Sequence, residues 1–74
     1  MRDRMEMVHE LVEIRSKMKR LAEEITKEGN FTTVRVILAE LNMLADKERA
    51  LSVELIALYM EDIDEAERKA NGEL

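Results

Sequence analysis

The sequence predicts an all-α protein. The expected form is an antiparallel helical hairpin, with a helix over about 3–28, a turn at 29–32 and a long helix over about 33–70, assembling into a helical bundle. Three observations predict it. Hydrophobic residues make up 46% and charged residues 39% of the chain, and Pro, Cys and Trp are absent; a sequence rich in Ala, Leu, Glu, Lys and Arg forms long helices. Apolar residues recur at alternating spacings of three and four in both halves, the signature of a heptad seam. Gly29 is the only glycine before position 72, so one turn is expected. Seventy-four residues make a single domain, 1–74.

The first helix carries Met7, Leu11, Ile14, Met18, Leu21 and Ile25 on its seam. Asp3 is placed to cap its start, with Glu6 three residues on in capping-box position. Gly29 is expected to close it in the left-handed conformation. Thr32 then caps the second helix, with Phe31 and Val36 spaced as a hydrophobic staple.

The second helix continues the seam through Ile37, Leu41, Leu44, Leu51, Leu55 and Leu58, with Glu48 at the seam position between Leu44 and Leu51. A break inside Ala45–Arg49 would make three helices. That stretch holds no Gly or Pro and the repeat does not slip across it, so one long helix is preferred, stopping at Asn71-Gly72. At 1.5 Å per residue the two helices span ~38 and ~57 Å, so the second overhangs the first by roughly three turns. Pairing Ile25 with Ile37 sets Ile14 near Glu48 and Met7 near Leu55. A charged residue at a seam position can fix register; Glu48 either pairs with Arg15 or, the preferred reading, carries its carboxylate out of the seam.

Both helices gain a second apolar face at the end remote from the turn: Met5, Val8 and Val12 on the first, and Val53, Ile56, Met60 and Ile63 on the second. Burying four such side chains contributes on the order of 6–12 kcal/mol, at ~1.5–3 each, and leaving them wet creates an interface-like patch. The expected solution is self-association, by default a two-fold dimer of hairpins forming a four-helix bundle. The rival is a foreign protein whose helix fills the groove.

Other function classes find little support. The net charge is −5, and the only basic cluster, Arg15, Lys17, Lys19 and Arg20, is flanked by acids, so no nucleic-acid partner is expected. No stretch approaches the ~18–20 apolar residues of a membrane span. The beginning, MRDRMEMVHE, is charged and unlike a signal peptide; the expected location is cytoplasmic, and Asn30-Phe31-Thr32 is read as a turn and not as a glycosylation site. Glu6 and His9 have the Glu-x-x-His spacing of di-iron bundles, but Met7 holds the seam between them, so both are read as a solvated face, with no metal or cofactor. The acidic run Glu61–Glu67 lacks the glycine of a calcium loop; so many acids at a helix C-terminus oppose the dipole, which predicts a frayed, solvated tail or a strip for a basic partner. The six Met residues are read as core filling. Ser16 and Ser52 have no His or acid arranged around them, and no enzymatic activity is expected.

Ile14-Arg15, Met18, Leu21, Gly29, and Glu40-Leu41-Asn42 with Leu44 are similar to the small sporulation regulatory phosphatases. The resemblance covers about residues 14–45. It implies a short helical hairpin that docks on a response regulator and acts on its aspartyl-phosphate. The second helix of that family carries Ser-Gln-Glu-Leu-Asp; here the run is Leu38-Ala39-Glu40-Leu41-Asn42, without the Ser, Gln or Asp. What carries over is a small acidic regulator that binds another protein through the Leu51–Ile63 surface. The lack of Gln, Pro, Cys and Trp, together with the regular heptads, equally suits an engineered or computed sequence whose role is assembly itself.

Overall fold

The computed structural model describes residues 3–72. They form two helices, α1 (Arg4–Lys27) and α2 (Phe31–Gly72). Asp3 caps α1, its Oδ1 accepting from the Met5 amide at 3.1 Å. This satisfies one of the N–H groups that a helix start leaves without a partner.

The turn differs from the sequence expectation. No residue among those described has a positive φ, Gly29 included. Glu28 instead leaves the helix in an extended conformation, its N–H still bonded to the carbonyls of Glu24 and Ile25. Its carboxylate Oε1 then accepts from the Asn30 amide at 3.0 Å. Asn30, not Thr32, caps α2: its Oδ1 accepts from the amides of Thr32 at 2.8 Å and Thr33 at 3.3 Å. With the cap two residues earlier, Phe31 becomes the first helical residue. It is 85% exposed and Val36 64% exposed, so the expected staple does not form.

α2 runs unbroken through Ala45–Arg49. Its far end also departs from expectation. The acidic run is helical and not frayed, and Asn71 and Gly72, the last of the described residues, are themselves helical. A Lys69–Glu65 pair one turn apart, at 3.6 Å, offsets part of the charge repulsion there.

The two helices lie antiparallel along one seam. Met7, Ile14, Leu51 and Leu55 form its buried cluster, with Val8, Leu11, Met18, Leu44 and Leu58 packed around them. Ile37 is buried nearer the turn; Leu21, Ile25 and Leu41 are half-buried. Met7 is the one side chain wholly out of solvent among the described residues. Charges close both gaps in the seam. Glu48, 29% exposed in its side chain, reaches Arg15 at 3.7 Å, so the carboxylate is both partly wet and paired. Beyond Met7, Arg4 donates through both terminal guanidinium nitrogens to Asp62, Nη2 to Oδ1 at 3.0 Å.

The result is a rod of 66 × 20 × 15 Å. Its radius of gyration is 18.4 Å, against about 11 Å for a compact domain of this length. From Ile63 to Gly72, α2 extends past the start of α1, a projection of ~15 Å.

Two outcomes follow for stability. Met7→Ala is expected to lower the free energy of unfolding by about 2–5 kcal/mol, read by urea denaturation at fixed protein concentration. Asn30→Ala should cost about 1 kcal/mol while Thr32→Ala costs little; equal losses would contradict the assigned cap.

Candidate functional site

The seam leaves each helix two flanks, and the flanks differ in chemistry. In an antiparallel pair, the residues one position past each seam residue lie on the same side of both helices. On α1 these are Met5, Val8, Val12, Arg15, Lys19, Ala22 and Thr26; on α2 they are Leu38, Asn42, Ala45, Arg49, Ser52, Ile56, Tyr59, Ile63, Ala66 and Ala70. The Arg4 guanidinium, lying over the Tyr59 ring at 5.6 Å from its centroid, ties the two helices together on this side. The opposite flank is charged. It holds two shallow grooves, one lined by Lys17, Arg20, Leu21, Glu24 and Glu40 and the other by Glu10, Lys47, Ala50, Leu51 and Glu54.

The apolar flank is the candidate site. Met5 and Val12 from α1 and Val53, Ile56, Met60 and Ile63 from α2 are exposed, each by about half or more. Val53 and Met60 lie about 60° further round α2 than Ile56 and Ile63, on the side turned away from the seam, which widens the face. Val8 is different from its expected neighbours. It is half-buried against the seam cluster, because the position directly beside a seam is partly covered by the opposing helix. It joins the core to the exposed face and does not stand free on that face.

Tyr59 belongs to this surface and is half-exposed. Sequence reasoning missed it as a site residue. The signal was present: Ile56, Tyr59, Ile63, Ala66 and Ala70 repeat at three and four, a second heptad stripe beside the first. Ser52 lies on the same stripe. Its Oγ is buried and has no hydrogen-bond partner. A hydroxyl shut away from water without a partner costs free energy.

Glu6 and His9 are both exposed on α1, and among the described residues no three His, Asp or Glu side chains converge on a point. Ser16 is exposed. What the flank offers is a flat apolar strip rimmed by charge, a geometry suited to another helix. No described helix is long and apolar enough to cross a membrane. Comparison with protein-family models, curated proteins and solved structures finds no match to the chain.

Ser52→Ala removes an unpaired hydroxyl and keeps a good helix former. It is expected to leave stability unchanged or raise it by up to about 1 kcal/mol, as read by thermal and urea unfolding. A loss of more than about 1 kcal/mol would mean that the hydroxyl has a partner.

Proposed function

We propose that this chain is a homo-oligomeric assembly protein, structural and without enzymatic activity. Its hairpins pair through the flank carrying Met5, Val8, Val12, Val53, Ile56, Met60 and Ile63. The simplest closed form is a two-fold dimer of hairpins, a four-helix bundle. A cytoplasmic, reducing setting suits a chain without cysteine, and the reading holds whether the sequence is natural or engineered.

The observation that carries the reading is the surface area. The chain exposes 6152 Å², whereas a compact monomer of 8.6 kDa exposes about 4,700 Å². The excess, roughly 1,450 Å², is larger than the ~800 Å² that each partner gives to a standard interface. The excess is also placed where it would matter. Seven exposed apolar residues outside the seam (Met5, Val12, Val53, Ile56, Tyr59, Met60 and Ile63) gather at the end remote from the turn, with Phe31, Val36, Leu38 and Met43 exposed nearer the turn. A single seam offers little to offset the entropy of ordering a chain of this length, and a second seam between hairpins supplies the missing burial.

A second reading uses the same surface. A small acidic regulator would bind a foreign protein there, and the acids between Glu61 and Glu67 favour a partner whose helix is basic along one edge. The two readings separate on mass. Under the assembly reading, light scattering at micromolar concentration gives a multiple of 8.6 kDa; a stable, well-folded single chain overturns it and leaves the regulator. Ile56→Glu is the sharper probe. It should dissociate the assembly and lower helicity, because a buried charge without a partner is costly. Unchanged mass and melting would remove Ile56 from the interface.

A further inference from the structure

The stretch of α2 from Ile63 to Gly72 has no helix of its own chain beside it. Its second stripe nevertheless continues through Ile63, Ala66 and Ala70. Such a stripe ends in small residues, and small side chains let another helix approach closely. We propose that this overhang seats on a second copy of the chain, with the two α2 helices antiparallel and a two-fold axis passing between Ile56 and Tyr59. The proposal rests on the self-association reading and adds orientation and register to it.

Self-complementarity selects the register. An isologous interface must match one surface to itself. With Ile56 opposite Tyr59 of the second copy, Ser52 falls opposite Ile63 and Ala45 opposite Ala70. On the outer edge Val53 meets Met60, apolar against apolar. Sliding by one heptad in one direction sets Val53 beside Glu67. Sliding in the other sets Met60 beside Asp46. The central register sets the two apolar residues of this edge against each other and leaves its carboxylates, Asp46 and Glu67, level with one another at its ends.

Charge selects the orientation. Between Ile63 and Gly72 the chain has three acidic residues (Asp64, Glu65, Glu67) and two basic ones (Arg68, Lys69), with Glu61 and Asp62 just before them. A parallel two-fold pairing would set two such ends side by side. The antiparallel one brings each overhang level with residues 43–52 of the other α2. Through the hairpin register, fixed by Arg15–Glu48 and by the cluster of Met7 with Leu55, that level also contains residues 10–19 of α1. The exposed cations on the same flank there are Arg15, Lys19 and Arg49. Three positive side chains thus stand level with the acidic end, Arg15 and Arg49 also pairing with Glu48 and Asp46 of their own chain, and opposite fields facing each other favour this direction of docking. Arg49 pairs with Asp46 of its own helix at 3.8 Å, with both side chains mostly exposed.

The chain has no cysteine, so introduced thiols report contacts without interference. Ala45→Cys and Ala70→Cys, made as separate variants and mixed in equal amounts, are oxidised with glutathione disulfide, and the linked peptides are identified by mass spectrometry. The expected product is an intermolecular 45–70 disulfide, formed several-fold more than the 45–45 or 70–70 links of either variant alone. Arg49→Cys mixed with Ala66→Cys, both exposed positions, gives the same reading should Ala45→Cys disturb the hairpin. Light scattering on the unmodified chain accompanies both. A multimeric mass with 70–70 links dominant, or with neither mixed link formed, overturns the antiparallel register while self-association stands. A single-chain mass overturns both. A multimeric mass with the mixed links establishes the register.

Discussion

Met7 clusters with Ile14, Leu51 and Leu55 at the end of the hairpin away from the turn, and the rest of the architecture depends on that placement. A two-helix seam is one layer thick, so it has no interior to select its own alignment. A cluster close to the turn would leave the open ends free to slide. Placed at the open end, with the Arg4–Asp62 pair just beyond it and Arg15–Glu48 midway, it fixes the register where the lever arm is longest. The turn then has only to be short. Glu28, Gly29 and Asn30 accomplish this with two side-chain hydrogen-bond acceptors and no left-handed residue.

Fixing the register also sorts the flanks. Once the seam faces inward, the side chains one step further round are carried to a common side on both helices. Those two rows are apolar at the same end of the rod. The charged rows meet on the other side, around Glu10, Lys47 and Glu54. The hairpin is therefore two-faced although each helix, taken alone, has apolar residues over much of its circumference near this end. The rod is thus two-faced and carries more surface than a compact chain of its mass.

Much of this was legible in the residues. The seam could be read because its repeat is long: a run of six positions on each helix leaves little freedom, and every one of those twelve residues is buried or half-buried. The continuity of α2 across Ala45–Arg49 was legible for the same reason. The turn was not. Asn30 and Thr32 are both good caps, and the choice between them is settled by the extended backbone at Glu28, which no spacing rule encodes. The frayed end was also misjudged, since the dipole penalty was weighed without the Lys69–Glu65 pair. On the candidate face, the exposure of Val53, Ile56, Met60 and Ile63 followed from their being off the seam. Tyr59, directly between the seam residue Leu58 and Met60 of the second face, was assigned to neither. Arg4 and Asp62 could have been found by extending the repeat one step past Met7 and Leu58, where opposite charges stand at the two ends of one layer.

The unequal lengths of the helices give the molecule a mechanical polarity. Arg4 and Gly72 lie at the same pole of the rod, but Gly72 is carried ~15 Å further along the axis by uninterrupted helix. Anything joined at either side would emerge at that pole, staggered by a stiff arm, while the turn pole stays clear. In the proposed antiparallel arrangement each arm would lie along the neighbouring hairpin and point toward its turn. Cargo attached beyond Gly72 would thus be held over the flank of the other hairpin, and the two attachment points would face opposite ways along one rigid axle.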